Sequence, residues 1–183
     1  TQERGDVLEG ADFVICCINV GGKEATRIDH ELPAEYGLKQ TVGDTLGIGG
    51  IFRGLRSIPE VLRIARDMEG QCPNALLLNY VNPMAMHCLA LNRATEIRCV
   101  GLCHGVQGDV RGLRMLTLLL EEDADVIRRH FELPLDSSER TTQWEEWRSR
   151  VDEKELSYTC AGINHMAVFL RFEAGGEDLY PLL

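Results

Sequence analysis

The chain predicts an α/β fold on a parallel sheet, and three observations carry the prediction. Residues 13–20 (FVICCINV), 75–80 (ALLLNY) and 97–102 (IRCVGL) are short, largely apolar runs of strand length. Helix-length stretches separate them, the spacing of βαβ units with right-handed crossovers. Each run ends in polar or flexible residues: Asn19-Val20-Gly21-Gly22, Asn82-Pro83 and Cys103-His104-Gly105.

In chain order, 13–20 is apolar on both alternating faces and reads as a strand buried on both sides. A helix opens at Lys23, and Pro33 is expected to break it. Residues 40–50, rich in Gly and Thr, read as a loop, and 51–57 as a short helix. Pro59 then suits the first position of a further helix carrying Val61, Leu62, Ile64, Ala65 and Met68. The second strand follows, then a helix over 84–93 and the third strand. After residue 108 the rhythm changes. Helix is expected over 108–130 and 141–152, strands over 156–163 and 166–172, and a turn at Gly175-Gly176. This is the start of an α+β region, giving a division into 1–107 and 108–183.

Charge narrows the function. With 19 basic against 29 acidic residues the net charge is −10, so no basic face is expected for nucleic acid or for an anionic membrane. The longest apolar runs are strand-sized, well short of the roughly 20 residues that span a bilayer. Seven cysteines, without a CxxC spacing, read mainly as small buried hydrophobes in a reducing compartment. A cytoplasmic protein is expected, with no nucleic-acid or membrane partner.

Ligands of open parallel sheets bind beyond the carboxyl ends of the strands. Gly21 and Gly22 permit close backbone approach there, although a Gly-Gly pair also serves as a plain strand–helix turn. The GxG in Gly47-Ile48-Gly49-Gly50 follows a loop, which makes it a weak dinucleotide fingerprint. Cys103-His104 and Asn164-His165 are the stronger feature. Thiolate and imidazole suit a transition metal. Two such ligands are too few for a closed zinc site, but an open site completed by substrate oxygens is allowed. His30, His87 and His130 lie in helical stretches and read as surface or packing residues.

Four stretches, in this order, resemble glycoside hydrolase family 4: 40–59 (QTVGDTLGIGGIFRGLRSIP), 78–85 (LNYVNPMA), 101–108 (GLCHGVQG) and 161–167 (AGINHMA). The family's bacterial α-galactosidases are the nearest match. A more distant likeness runs to lactate and malate dehydrogenases, through the Rossmann sheet and the Asn-Pro after a strand. The resemblance implies a partial Rossmann-like NAD-binding domain over 1–107 and the beginning of a catalytic domain over 108–183. It implies NAD and a divalent metal, usually manganese or else another divalent ion, as cofactors, in a family that departs from the two-carboxylate rule of glycosidases. On softness alone the cysteine–histidine pair would suit zinc as well. The implied reaction is hydrolysis of α-galactosides by oxidation at C3, metal-assisted elimination and addition of water.

Residue by residue, Cys103 and His165 match the family's metal ligands, and His104 the acid that assists the leaving group. Asn82 matches a substrate-binding position, with Asn164 and Asn19 assigned to the substrate beside it and Val20, Gly21 and Gly22 to the cofactor. Asn19 stands where phospho-sugar members carry Arg. Asn is too short and neutral for bidentate phosphate binding, so a non-phosphorylated glycoside is expected. The glycine-rich NAD loop and the catalytic tyrosine lie outside these residues. The chain thus reads as an internal fragment, inactive alone and homo-oligomeric at full length. The alternatives are an α-glucosidase, α-galacturonidase or glucuronidase of the same family, a lactate/malate-type dehydrogenase, and a non-catalytic remnant.

Overall fold

The computed structural model describes residues 4–40, 43–153 and 156–182. In order they form α1 (Gly5–Leu8), β1 (Phe13–Cys16), α2 (Gly22–Glu35), α3 (Gly47–Gln71), β2 (Leu76–Asn79), α4 (Met84–Ala94) and β3 (Arg98–Gly101). Then come α5 (Gly105–Glu121), α6 (Ala124–Glu132), α7 (Ser138–Glu153), β4 (Leu156–Ile163), β5 (Met166–Ala174), β6 (Glu177–Asp178) and a 3₁₀ turn over Tyr180–Leu182. Two compact units result, one of 1–103 with 163–165, the other of 104–162 with 166–183. No helix among the described residues is long and apolar enough to cross a membrane.

The first unit is α/β, with a parallel sheet ordered β1-β2-β3. Its register aligns Ile15 with Leu78 and Leu78 with Val100. Cys16 and Leu77 on one sheet face pack with Val61, Ala65 and Met68 of α3 and Leu91 of α4, forming the core. The opposite face differs from expectation. Phe13 and Ile15 are 66% and 67% exposed, so the first strand is buried on one side only. Alternate residues of β1 therefore meet solvent on that side.

Two prolines behave otherwise than expected. Residues 47–71 form one continuous helix through Pro59, where a loop and two helices were expected. Buried Gly50, Gly54, Ser57, Val61, Ala65 and Met68 give the reason. They recur at three- and four-residue steps on both sides of the proline, so one seam holds both halves. Pro59 itself is exposed, and the carbonyl it leaves unpaired at Leu55 lies on a solvent-facing residue. In α2 the helix likewise continues past Pro33, which is buried, for two further residues. It ends when Gly37 takes φ +82°, with Leu38 N–H donating to the Pro33 carbonyl and Gly37 N–H to that of Ala34.

In the second unit, Val110, Phe172 and Leu179 form a small core. The expected helical stretch 108–130 is two helices, parted where the Asp123 carboxylate accepts from Asp125 N–H and caps α6. Buried His130 packs against Trp144 and Trp147, a packing role as expected. The cysteines are less uniformly buried than composition implied: Cys16 and Cys72 are buried, Cys17 is exposed, and the other four are intermediate.

Candidate active site

The sheet of the first unit presents its three strand ends as expected: 19–22 after β1, Asn82 after β2 and Cys103 after β3. The turn residues Asn164 and His165 belong to the same unit. Asn164 adopts φ +49°, a left-handed conformation that Asn tolerates better than most residues. Cys103 Sγ lies 3.5 Å from His165 Nε2. Asn164 Nδ2 donates to Asn82 Oδ1 at 3.3 Å. Four residues singled out in the sequence thus form one cluster.

Asn82 is held from several sides. Its Nδ2 donates to Asp44 Oδ2 at 3.2 Å, and Met84 N–H donates to its Oδ1 at 3.4 Å. The Arg53 guanidinium donates to the Asn82 carbonyl at 3.1 Å and to Thr26 Oγ1 at 3.2 Å. Thr26 in turn donates to the Gly22 carbonyl at 3.1 Å, so Arg53 ties the glycine turn to the Asn82 loop. Arg56 donates to the Val20 carbonyl at 2.9 Å and doubly to the buried carboxylate of Asp29. That pairing raises the Arg56 pKa, against the opposing effect of burial.

Sequence reasoning assigned no role to Asp44, Arg53, Arg56 or Asp29. The first three stood inside the recognised stretch 40–59, and their helical spacing (Arg53 and Arg56 three apart) was the available signal. Of the remaining expected residues, Asn19 is exposed, and its carbonyl accepts from Gly22 N–H at 3.2 Å. His104 is exposed and precedes the first residue of α5 in the second unit.

The Cys103 and His165 donors suit a shared divalent ion, zinc on softness as well as the manganese that the resemblance implies. Zinc–ligand lengths of about 2.3 Å to sulfur and about 2.1 Å to nitrogen, at a tetrahedral angle, would set the two donors about 3.6 Å apart. The observed 3.5 Å suits a shared ion as well as an S–H···N contact. Asn164 Oδ1 is buried without a hydrogen-bond partner, as is His165 Nδ1 on the far side of the ring from Cys103. Among the described residues no group of three or more His, Cys, Asp or Glu could hold an ion, so such a site would be an open one. At the glycine turn, Gly21 has φ +82° and Gly22 φ +61°. A Cβ at Gly22 would meet nothing within 4 Å, so the backbone there is open to a ligand. The N-terminus of α2 has no side-chain cap.

The model of Family 4 glycosyl hydrolase matches residues 1–119. The chain belongs to that family. It is 42% identical over 181 residues to an α-galactosidase of Bacillus subtilis, covering 98% of this chain and 34% of that protein. It is 32% identical to an α-glucosidase of Erwinia rhapontici, over 98% of this chain and 34% of that protein. The chain thus spans about a third of the length of these relatives. Among solved structures, a 6-phospho-α-glucosidase from gut microorganisms, crystallised with NAD and Mn²⁺, superposes with a TM-score of 0.68 at 24% identity. That match covers 100% of this chain and 34% of the other, and at this identity it establishes the shared fold. The family and the α/β fold are those expected from the sequence.

Proposed function

We propose that this chain is part of an NAD- and Mn²⁺-dependent glycosidase acting on non-phosphorylated α-galactosides. The observation that carries the reading is the approach of Cys103 Sγ to His165 Nε2 at the strand ends, within a family 4 chain. Cys103 and His165 would hold the ion, and Val20, Gly21 and Gly22 would face the dinucleotide. When bound, these groups supply hydride acceptance at the sugar's C3 and Lewis acidity at its hydroxyl oxygens.

The chain's own residues bind and orient. Asn82 is fixed by Asp44 and Arg53, and with Asn164 it presents amide groups to the sugar hydroxyls. Asn164 Oδ1, buried and unpartnered, is ready to accept from one of them. His104, exposed at the head of α5, would give a proton to the departing oxygen. Asn19 after β1 offers a neutral amide, which disfavours a phosphoryl group. A reducing, cytoplasmic setting is part of this reading, the cysteines serving mainly as small packing residues. The 183-residue chain alone is expected to be inactive, and a homo-oligomer is expected at the relatives' full length.

The test is hydrolysis in deuterated water by the protein extended to the relatives' length, offered α-galactoside, α-glucoside, α-galacturonide and 6-phospho-glycoside. Elimination exchanges the hydrogen on C2, whereas direct displacement at C1 leaves it untouched. Deuterium at C2 of galactose, seen only when NAD and Mn²⁺ are supplied, is the expected result. Unlabelled product formed without NAD would end the proposal.

A further inference from the structure

We infer that His87 is a positioning residue for the Asn82 loop, acting through Val81 on one side and through Ser57 and Arg53 on the other. His87 is completely buried on α4. Its Nδ1 lies 2.9 Å from the Val81 carbonyl, one residue before Asn82. Its Nε2 lies 2.7 Å from Ser57 Oγ on α3, and that hydroxyl is 2.6 Å from the Arg53 carbonyl. Arg53 then reaches forward to the Asn82 carbonyl. The loop is thereby gripped at two successive carbonyls, that of Val81 by the imidazole itself and that of Asn82 by Arg53, whose own carbonyl is tied to the imidazole through Ser57. Asn79 Nδ2 adds a second donor to the Val81 carbonyl at 3.2 Å.

The chemistry fixes the tautomer. A carbonyl only accepts, so Nδ1 carries the proton toward Val81. In the neutral ring Nε2 then has no proton of its own, and the single Ser57 hydroxyl proton serves both it and the Arg53 carbonyl. Desolvation holds the ring neutral by lowering its pKa, the Arg53 charge adds to the effect, and the Val81 carbonyl opposes it. A buried histidine between two aliphatic elements could serve packing alone. Here every polar atom of the ring engages a group bonded within two steps to Asn82.

The experiment has a spectroscopic and a kinetic arm. In the ¹⁵N-labelled 183-residue chain, long-range imidazole spectra at neutral pH should show His87 as the Nδ1–H tautomer. His87→Leu should shift the side-chain amide resonances of Asn82 and Asn164. His87→Asn, which keeps a donor toward Val81, should return them most of the way. Ser57→Ala, the milder deletion, carries the same test if His87→Leu does not fold. An Nε2–H tautomer, or Asn82 amides unmoved in folded variants, would overturn the inference.

The kinetic arm rests on the glycosidase reading and uses the extended protein. His87→Leu should lower kcat/KM by about tenfold to a hundredfold. In an Asn82→Ala background the same change should cost less than about twofold, because the residue acts through Asn82. Equal losses in both backgrounds would make His87 merely structural. An extended protein without glycosidase activity but with coupled amide resonances would count against the function proposed above and in favour of this positioning role.

Discussion

Cys103 Sγ and His165 Nε2 stand 3.5 Å apart although 62 positions separate them in the chain. If the pair binds an ion, removing either donor leaves a single protein ligand. Cys103→Ser should therefore weaken Mn²⁺ binding to the chain by at least about a hundredfold, beyond the effect typical of groups that only support a ligand. Cys72 is buried in the core on the end of α3, so Cys72→Ser should lower stability and leave Mn²⁺ affinity unchanged. Calorimetric titration of both variants distinguishes the roles. Equal affinity in wild type and Cys103→Ser would remove the metal assignment.

Asp29 is 1% exposed and accepts two hydrogen bonds from Arg56, which also holds the Val20 carbonyl. Breaking a fully buried pair costs several kcal/mol, but Arg56 keeps about a quarter of its side chain in water and recovers part of its solvation. Asp29→Asn should cost about 2 kcal/mol by urea denaturation. Arg27→Ala, which removes ion pairs to Glu24 and Glu31 on the outer face of α2, should leave the midpoint where it was. A larger effect at Arg27 would reverse the ranking of the two.

The imidazole of His87 titrates below its ordinary value of 6.5, chiefly because burial penalises the charged ring. The unfolded chain then binds more protons than the folded one between those two values. His87 therefore contributes stability at pH above 6.5 that is lost as pH falls toward its folded pKa, at no more than about 1.4 kcal/mol per pH unit. Thermal melts from pH 7.5 to 5 should show this slope, and His87→Gln should flatten it. An unchanged slope in the variant would place the titration elsewhere.

The elements most legible in the sequence were those whose pattern was local. The strands at β2 and β3 and the helix after Pro83 lie close to where apolar runs and turn residues set them. Pro59 misled because its cost is local, whereas the buried seam from Gly50 to Met68 is a tertiary effect that spans the break. Cys103, His165, Asn82 and Asn164 were legible because their motifs sit at element ends, and the structure gathers them. Asp44 and Arg53 were not, because their role depends on which carbonyl or amide they reach. Phe13 and Ile15 were placed in a core from their composition, yet composition cannot show whether a sheet is covered on one side or two.

That uncovered side supports a last prediction. The register sets Phe13, Leu76 and Arg98 in one row and Ile15, Leu78 and Val100 in the next, on the face opposite Cys16 and Leu77. Phe13 and Ile15 are two-thirds exposed and Val100 38%, and β1 is an edge of the described sheet. Parallel sheets are ordinarily covered on both faces, and an apolar edge strand templates association. The 183-residue chain should accordingly self-associate in solution. Ile15→Lys places a charge on a side chain already in solvent, so it should shift the population toward monomer at little cost in stability. Val14→Lys, one position along, puts the charge against the core and should lower the melting temperature sharply. Sedimentation velocity across a concentration series, with thermal melts of both variants, measures each effect. A wild-type chain that stays monomeric across the series would show that this face is tolerated in water as it stands.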